Sequence, residues 1–208
     1  TSKPTALFSN TQIENPNLML EGMPNYRSGV DGLRVSNSTK GGITFAASTT
    51  QNGIHMITVV LGVEAVDGDP YARFVATSSL MNYVVRTFVS SIVVKEGDPY
   101  GKSKATVMDG KSETVLAVAK KDFYIVEKQG SQAEPKIQFK SNQESFRAPV
   151  KSGTNLGKLH YTDPDKIGRG YIEDQEPTVD MVAGRTIEKS FFLKVWWNEF
   201  VRYVNEKL

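Results

Sequence analysis

Few side chains in this sequence are of a type that does covalent or metal chemistry, and their spacing narrows the choice further. With no cysteine, a thiolate nucleophile, a thiolate metal site and a disulfide framework are excluded. The two histidines, His55 and His160, lie far apart, each in a strand-like run. A histidine triad or zinc site needs such rings gathered with partners, so these two read as surface or satisfied residues. No metal and no cofactor is expected. What remains is binding chemistry, and its densest cluster is C-terminal: Phe191, Phe192, Trp196, Trp197, Phe200 and Tyr203, with Lys194 and Arg202 among them.

The totals set the frame for those residues. A chain of 208 residues, 39% hydrophobic and 23% charged, has the composition of globular protein and can bury one large core or two small ones. Twenty-five basic against 23 acidic residues leave a net charge of +2. The lysines are scattered among acids along the chain, with no basic stripe, which argues against a nucleic-acid binder. No apolar run is long enough to span a membrane. The start at Thr1, with no signal peptide, reads as a start in the interior of something longer.

The elements follow from periodicity. The first thirty residues, rich in Asn, Pro, Ser and Thr, read as an extended or looped lead-in anchored by Leu18, Met19 and Leu20. Gly42 to Thr50 and Ile54 to Val63 are β-rich runs around Gln51-Asn52-Gly53, a hairpin signal because Asn and Gly accept the positive φ of a type I′ turn. Asp69-Pro70 opens a helix by capping and by proline at the first helical position. Phe74, Thr77, Met81, Val84 and Phe88 line one face of that helix. From about Ile92 to Val182, short β runs (114–118, 123–127, 137–139, 158–161) alternate with turns at Asp109-Gly110, Gln129-Gly130, Ser152-Gly153 and Asp163-Pro164. This is the pattern of a small antiparallel sandwich or barrel.

Ile187 to Leu208 winds into an amphipathic helix. At 100° per residue, Phe192, Leu193, Trp196, Trp197, Phe200, Val201, Tyr203 and Val204 share one half. Lys194, Asn198, Glu199, Arg202, Asn205 and Glu206 share the other, with Val195 misplaced among them. Aromatic residues flanked by Lys and Arg suit the headgroup boundary of a bilayer, so the apolar half is expected to contact a membrane surface. The alternative is a helix docked on its own domain or on a second copy.

The segment Val30-Asp31-Gly32-Leu33, followed by Gly42-Ile43, resembles the third active-site motif region of the low-molecular-weight penicillin-binding proteins, the serine-type D-alanyl-D-alanine carboxypeptidases. The resemblance runs on through Phe45 to Thr50, Asn52-Gly53, Ile57 to Gly62 and Asp69-Pro70-Tyr71-Ala72-Arg73-Phe74. Ala148-Pro149-Val150-Lys151-Ser152-Gly153 and Gly157 are similar to the C-terminal β domain. Phe191 to Leu208 is similar to the amphipathic anchor of Gram-positive members.

The resemblance implies an α+β chain in three parts. These are residues 1–91, a β-hairpin plus helix remnant of the penicillin-binding domain; 92–185, the β-sandwich; and 186–208, the membrane-associating helix. It implies an enzyme that trims the terminal D-Ala from peptidoglycan stem peptides at the outer face of the cytoplasmic membrane, through a serine acyl-enzyme that β-lactams trap.

The sequence departs from that family at the chemistry. No serine has lysine three residues later, and Ser-x-Asn is absent, so no catalytic residue is assigned. Tyr203-Val204-Asn205 and Lys151-Ser152-Gly153 only imitate such motifs. Where the family has Lys-Thr-Gly, this chain has Arg34-Val35-Ser36. Arg34 keeps a cation for the substrate carboxylate, Val35 removes a hydroxyl, and Ser36 adds a side chain where glycine allows close approach. This stretch is either a degenerate substrate-binding motif or simply a strand edge. The chain alone is expected to be inactive, meeting stem peptide or β-lactam only with an upstream segment present. The alternative is a non-catalytic, membrane-associated module for the cell wall or a protein partner. An exposed sheet edge also leads us to expect a homo-oligomer.

Overall fold

The structure, a computed structural model, describes residues 3–64, 68–163 and 165–207, so Thr1, Pro164 of the Asp163-Pro164 turn and Leu208 lie outside the described residues. The chain divides into two compact units, Thr1–Ser90 with Val126–Gly130, and Ser91–Ile125 with Ser131–Leu208.

The first unit opens with a short hairpin, β1 (Thr5–Phe8) and β2 (Thr11–Glu14), where the sequence suggested an extended or looped lead-in. Ser9 and Asn10 both take positive φ, 46° and 64°, the two-residue turn that matches strand twist. The apolar anchor holds as expected: Met19 and Leu20 are buried. The Asn17 side-chain oxygen fixes their approach by accepting the Met19 N–H at 3.0 Å.

β3 (Val30–Ser38), β4 (Gly42–Gln51) and β5 (Ile54–Val63) then form an antiparallel sheet in the order β3-β4-β5. The hairpin expected from Asn52-Gly53 is therefore two-thirds of a three-stranded sheet. Its turn is the anticipated one, with φ of 51° and 75° at those two residues.

Helix α1 (Ala72–Thr87) covers one face of this sheet, burying Phe74, Thr77 and Met81 as their spacing predicts. The Phe74 ring meets Phe45 edge-on at 5.1 Å. The helix starts two residues later than expected. Asp69 accepts the Tyr71 N–H at 2.8 Å, so its carboxylate closes a turn ahead of the helix rather than capping it. On the other face, alternation along β5 leaves Ile57, Val59 and Leu61 exposed.

The second unit is sandwich-like. β6 (Phe88–Val94), whose first three residues belong to the first unit, pairs with β9 (Phe123–Lys128), whose last three do. The larger sheet has β7 (Pro99–Met108), β8 (Thr114–Ala119), β10 (Lys136–Ser141), β11 (Phe146–Arg147), β12 (Asn155–Thr162) and β13 (Thr178–Ala183). Their order is β10-β12-β13-β8-β7-β11. The sheet is not wholly antiparallel as expected, because β11 joins β7 in parallel. Leu156, Leu159, Tyr161, Val115 and Met181 form the centre of its core. Gly157 lets β12 approach β10: a Cβ there would stand 2.1 Å from the Lys140 carbonyl oxygen.

Helix α2 (Phe192–Lys207) ends the chain. It begins at Phe192 rather than Ile187 because the intervening backbone is already committed to the sheet. Ile187 exchanges both hydrogen bonds with Val150, Glu188 accepts from Lys111, and the Ser190 N–H donates to Asp109.

Candidate functional site

Arg34, Val35 and Ser36 lie on β3, the edge strand, opposite Ala46, Phe45 and Thr44 of β4. Alternation separates them. Val35 is half-buried and packs on the core beneath α1, while Arg34 and Ser36 point to the opposite face, Arg34 exposed. The three are thus consecutive but do not share a surface.

Their backbone is held from the helix. Arg73 is buried on α1, and its Nη1 donates to the carbonyls of Ser36 at 3.1 Å and Thr44 at 3.2 Å. Its Nη2 donates to the Asn37 side-chain oxygen. Burial lowers the Arg73 pKa by desolvation, yet the three acceptors suit a cation. Thr44 Oγ1 also donates to the Ser36 carbonyl, at 3.1 Å. Further along the same strand pair, the Ser48 hydroxyl on β4 donates to the Asp31 carboxylate on β3.

Sequence reading quoted Arg73 only as part of a matching block. The available signal was an arginine between residues of a helix's apolar face. A second clamp was missed altogether: Arg27 donates to Asn82 Oδ1 at 2.7 Å and to Gln51 Oε1 at 2.8 Å, tying the lead-in to α1 and β4.

Helix α2 presents its apolar half outward. Phe192, Leu193, Trp196, Trp197, Phe200, Val201 and Tyr203 are all exposed, the two tryptophans by 61% and 58%; Val204 is half-buried. The side turned to the unit is the nominally polar one. Asn198 is half-buried and donates to the buried Asp109 carboxylate at 3.5 Å, which also takes the Arg147 Nε–H at 3.2 Å. Val195, three residues before Asn198, is half-buried as well, which accounts for the one apolar residue out of place on the wheel. The side chains of Glu199, Arg202, Asn205 and Glu206 lie outside the described residues. No described helix is long and apolar enough to cross a membrane. Among the described residues, no cluster of acids and histidines could hold a metal.

Comparison with known proteins gives the class to which these elements belong: the carboxy-terminal part of a penicillin-binding protein. Residues 88–189 match the family described as penicillin-binding protein 5, C-terminal domain. D-alanyl-D-alanine carboxypeptidase DacA of Haemophilus influenzae is 27% identical over 133 residues, covering 64% of this chain and 32% of the relative. DacA of Escherichia coli is 25% identical over 166 residues, covering 80% and 38%.

Among solved structures, a peptidoglycan synthesis regulatory factor (PBP3) from Streptococcus pneumoniae is 45% identical with a TM-score of 0.84, over 90% of this chain and 51% of that one. Penicillin binding protein 5 from Haemophilus influenzae shares the fold at 22% identity and a TM-score of 0.59, over 90% and 50%. The chain belongs to the low-molecular-weight penicillin-binding proteins and corresponds to a C-terminal portion of them. It spans about half the length of these solved relatives and about a third of the curated ones.

Proposed function

We propose that this chain is the membrane-resting portion of a D-alanyl-D-alanine carboxypeptidase that works on peptidoglycan stem peptides outside the cytoplasmic membrane. It supplies the β3 edge to the active site and lacks a nucleophile of its own. The reading rests on the outward apolar half of α2, carried by a chain whose relatives are carboxypeptidases by name. Aromatic side chains at that exposure lose water contact when laid into the headgroup boundary, and one such face gives modest, reversible binding. Arg34, exposed on the edge strand, is the cation left for a substrate carboxylate.

Intact mass with and without excess penicillin tests the enzymatic half of this proposal. No adduct is expected on the chain alone, and a penicilloyl adduct would show an activated serine that the proposal denies. Co-sedimentation with anionic vesicles tests the other half. Trp196→Ser with Trp197→Ser should reduce the bound fraction at least tenfold, and unchanged binding would remove α2 from the membrane. A non-catalytic module is the second reading, favoured by Val35 packing into the core where the family has a hydroxyl. Joining the upstream segment of a 45%-identical relative separates the two: acylation restored supports the enzyme, and its failure supports the module.

A further inference from the structure

Lysines that are scattered in sequence converge on one face of the second unit. Along β10, Lys136, Gln138 and Lys140 point outward while Ile137 and Phe139 pack inward; along β12, Lys158, His160 and Thr162 point outward from Leu159 and Tyr161. The register sets Lys140 directly opposite Lys158, Gln138 opposite His160, and Lys136 opposite Thr162. Across the next ladder Lys158 faces Asp180, and Lys120 at the end of β8 approaches Asp180 at 3.7 Å. Lys121 joins Lys120 and Lys158 around one groove, and Lys136 and Lys140 line another with His160.

Five lysines therefore share the face with two carboxylates, Asp180 and Glu176. Among the described residues, Lys120 alone of the five has a carboxylate within 4 Å. The Glu176 carboxylate instead accepts the Thr162 hydroxyl at 2.8 Å.

The Lys140–Lys158 pair is the telling feature. Like charges directly opposite on neighbouring strands destabilise a sheet, and although Asp180 lies across the next ladder from Lys158, among the described residues neither Lys140 nor Lys158 has a carboxylate within 4 Å. His160, beside the pair, feels the same field: its pKa is lowered, first by burial and then by Lys140 and Lys158, against a smaller opposing effect of Glu176. The cations recur about 5 Å apart across the ladder and about 13 Å apart along β10, a spacing suited to a chain of charges rather than one anion.

We propose that the outer face of β10, β12 and β13 docks an extended anionic polymer through Lys120, Lys121, Lys136, Lys140 and Lys158. Lysine binds phosphate as a point charge, and a phosphate polymer repeats that charge along an extended chain. α2 is rooted at Asp109 and Lys111, before β8, whereas Lys120 follows it, so β8 puts about 20 Å between that root and Lys120. With the root of α2 at a bilayer, that distance exceeds the Debye length of ~8 Å and favours a soluble polymer over lipid headgroups. That choice of occupant, though not the site, rests on the membrane reading of α2.

Inorganic polyphosphate, polyglutamate and anionic vesicles are the three probes, applied to the full chain at low salt. Lys136→Gln/Lys140→Gln/Lys158→Gln should weaken polyphosphate binding at least tenfold and lower the salt slope by about two. The control Lys3→Gln/Lys40→Gln/Lys128→Gln, with the same change in net charge, should weaken it less than threefold. Circular dichroism verifies that both variants fold. Polyphosphate should shift the NMR titration of His160 upward. Polyglutamate distinguishes the anion: weaker binding assigns phosphate, and equal binding assigns charge spacing alone, both within the proposal. Equal losses in both triple variants, no binding by the parent chain, or binding to vesicles alone would overturn it.

Discussion

Among the described residues of the second unit, eighteen buried apolar side chains from β6 to β13 and the Ile187 segment form one core. Among those of the first unit, α1 covers one face of β3–β5 over a nine-residue core, and Ile57, Val59 and Leu61 on the other face stay exposed. The units are of similar size, so the difference lies in how many elements share the burial. A small sheet with one covered face buries little apolar area against the same backbone entropy, and its margin is thin. The first unit compensates with polar clamps: Arg73 holds β3 to α1, and Arg27 holds the lead-in. The second unit keeps its backbone in place with ladder bonds and apolar packing, and its outward face is left free for charge.

Perturbations aimed at one unit test this contrast. Phe45→Ala removes one of the two phenylalanines buried in the small core and should cost about 3–5 kcal/mol. Hydrogen exchange should then show β3–β5 amides losing protection while β8, β12 and β13 keep theirs. Equal loss in both units would mean that they unfold as one.

Arg73→Met should cost less, about 1–3 kcal/mol, because it strips a donor from the Thr44 and Ser36 carbonyls, the second of which keeps the Thr44 hydroxyl. Faster exchange confined to β3 and the start of β4 is the expected signature, and unchanged exchange would show that packing alone holds the edge.

The smallest effect concerns pH. His160 has a lowered pKa in the folded chain, so below the ordinary value near 6.5 the unfolded chain binds more protons and stability falls as pH drops. Thermal melts at pH 7.5 and pH 5.5 should show a smaller fall for His160→Gln than for the parent chain. An identical fall in both would place the titrating group elsewhere.

Signals confined to a few neighbouring residues were readable from sequence. Asn52-Gly53 specified its turn because two adjacent positive φ values depend on two residues, and the buried face of α1 followed from three- and four-residue spacing. The same locality explains the errors. Ile187 to Ser190 have helical periodicity, but their hydrogen bonds go to Val150, Asp109 and Lys111. Arg34-Val35-Ser36 reads as one motif, yet a strand sends its middle residue to the other face.

By itself, then, the sequence determined the local elements, the amphipathic character of α2 and the family resemblance, since each is written in short-range order. Only the tertiary structure decided which half of α2 faces its own unit, that Arg73 anchors the edge strand, and that five lysines spaced along forty residues meet on one surface. These depend on strand register and on contacts between residues distant in the chain, and no local periodicity encodes either.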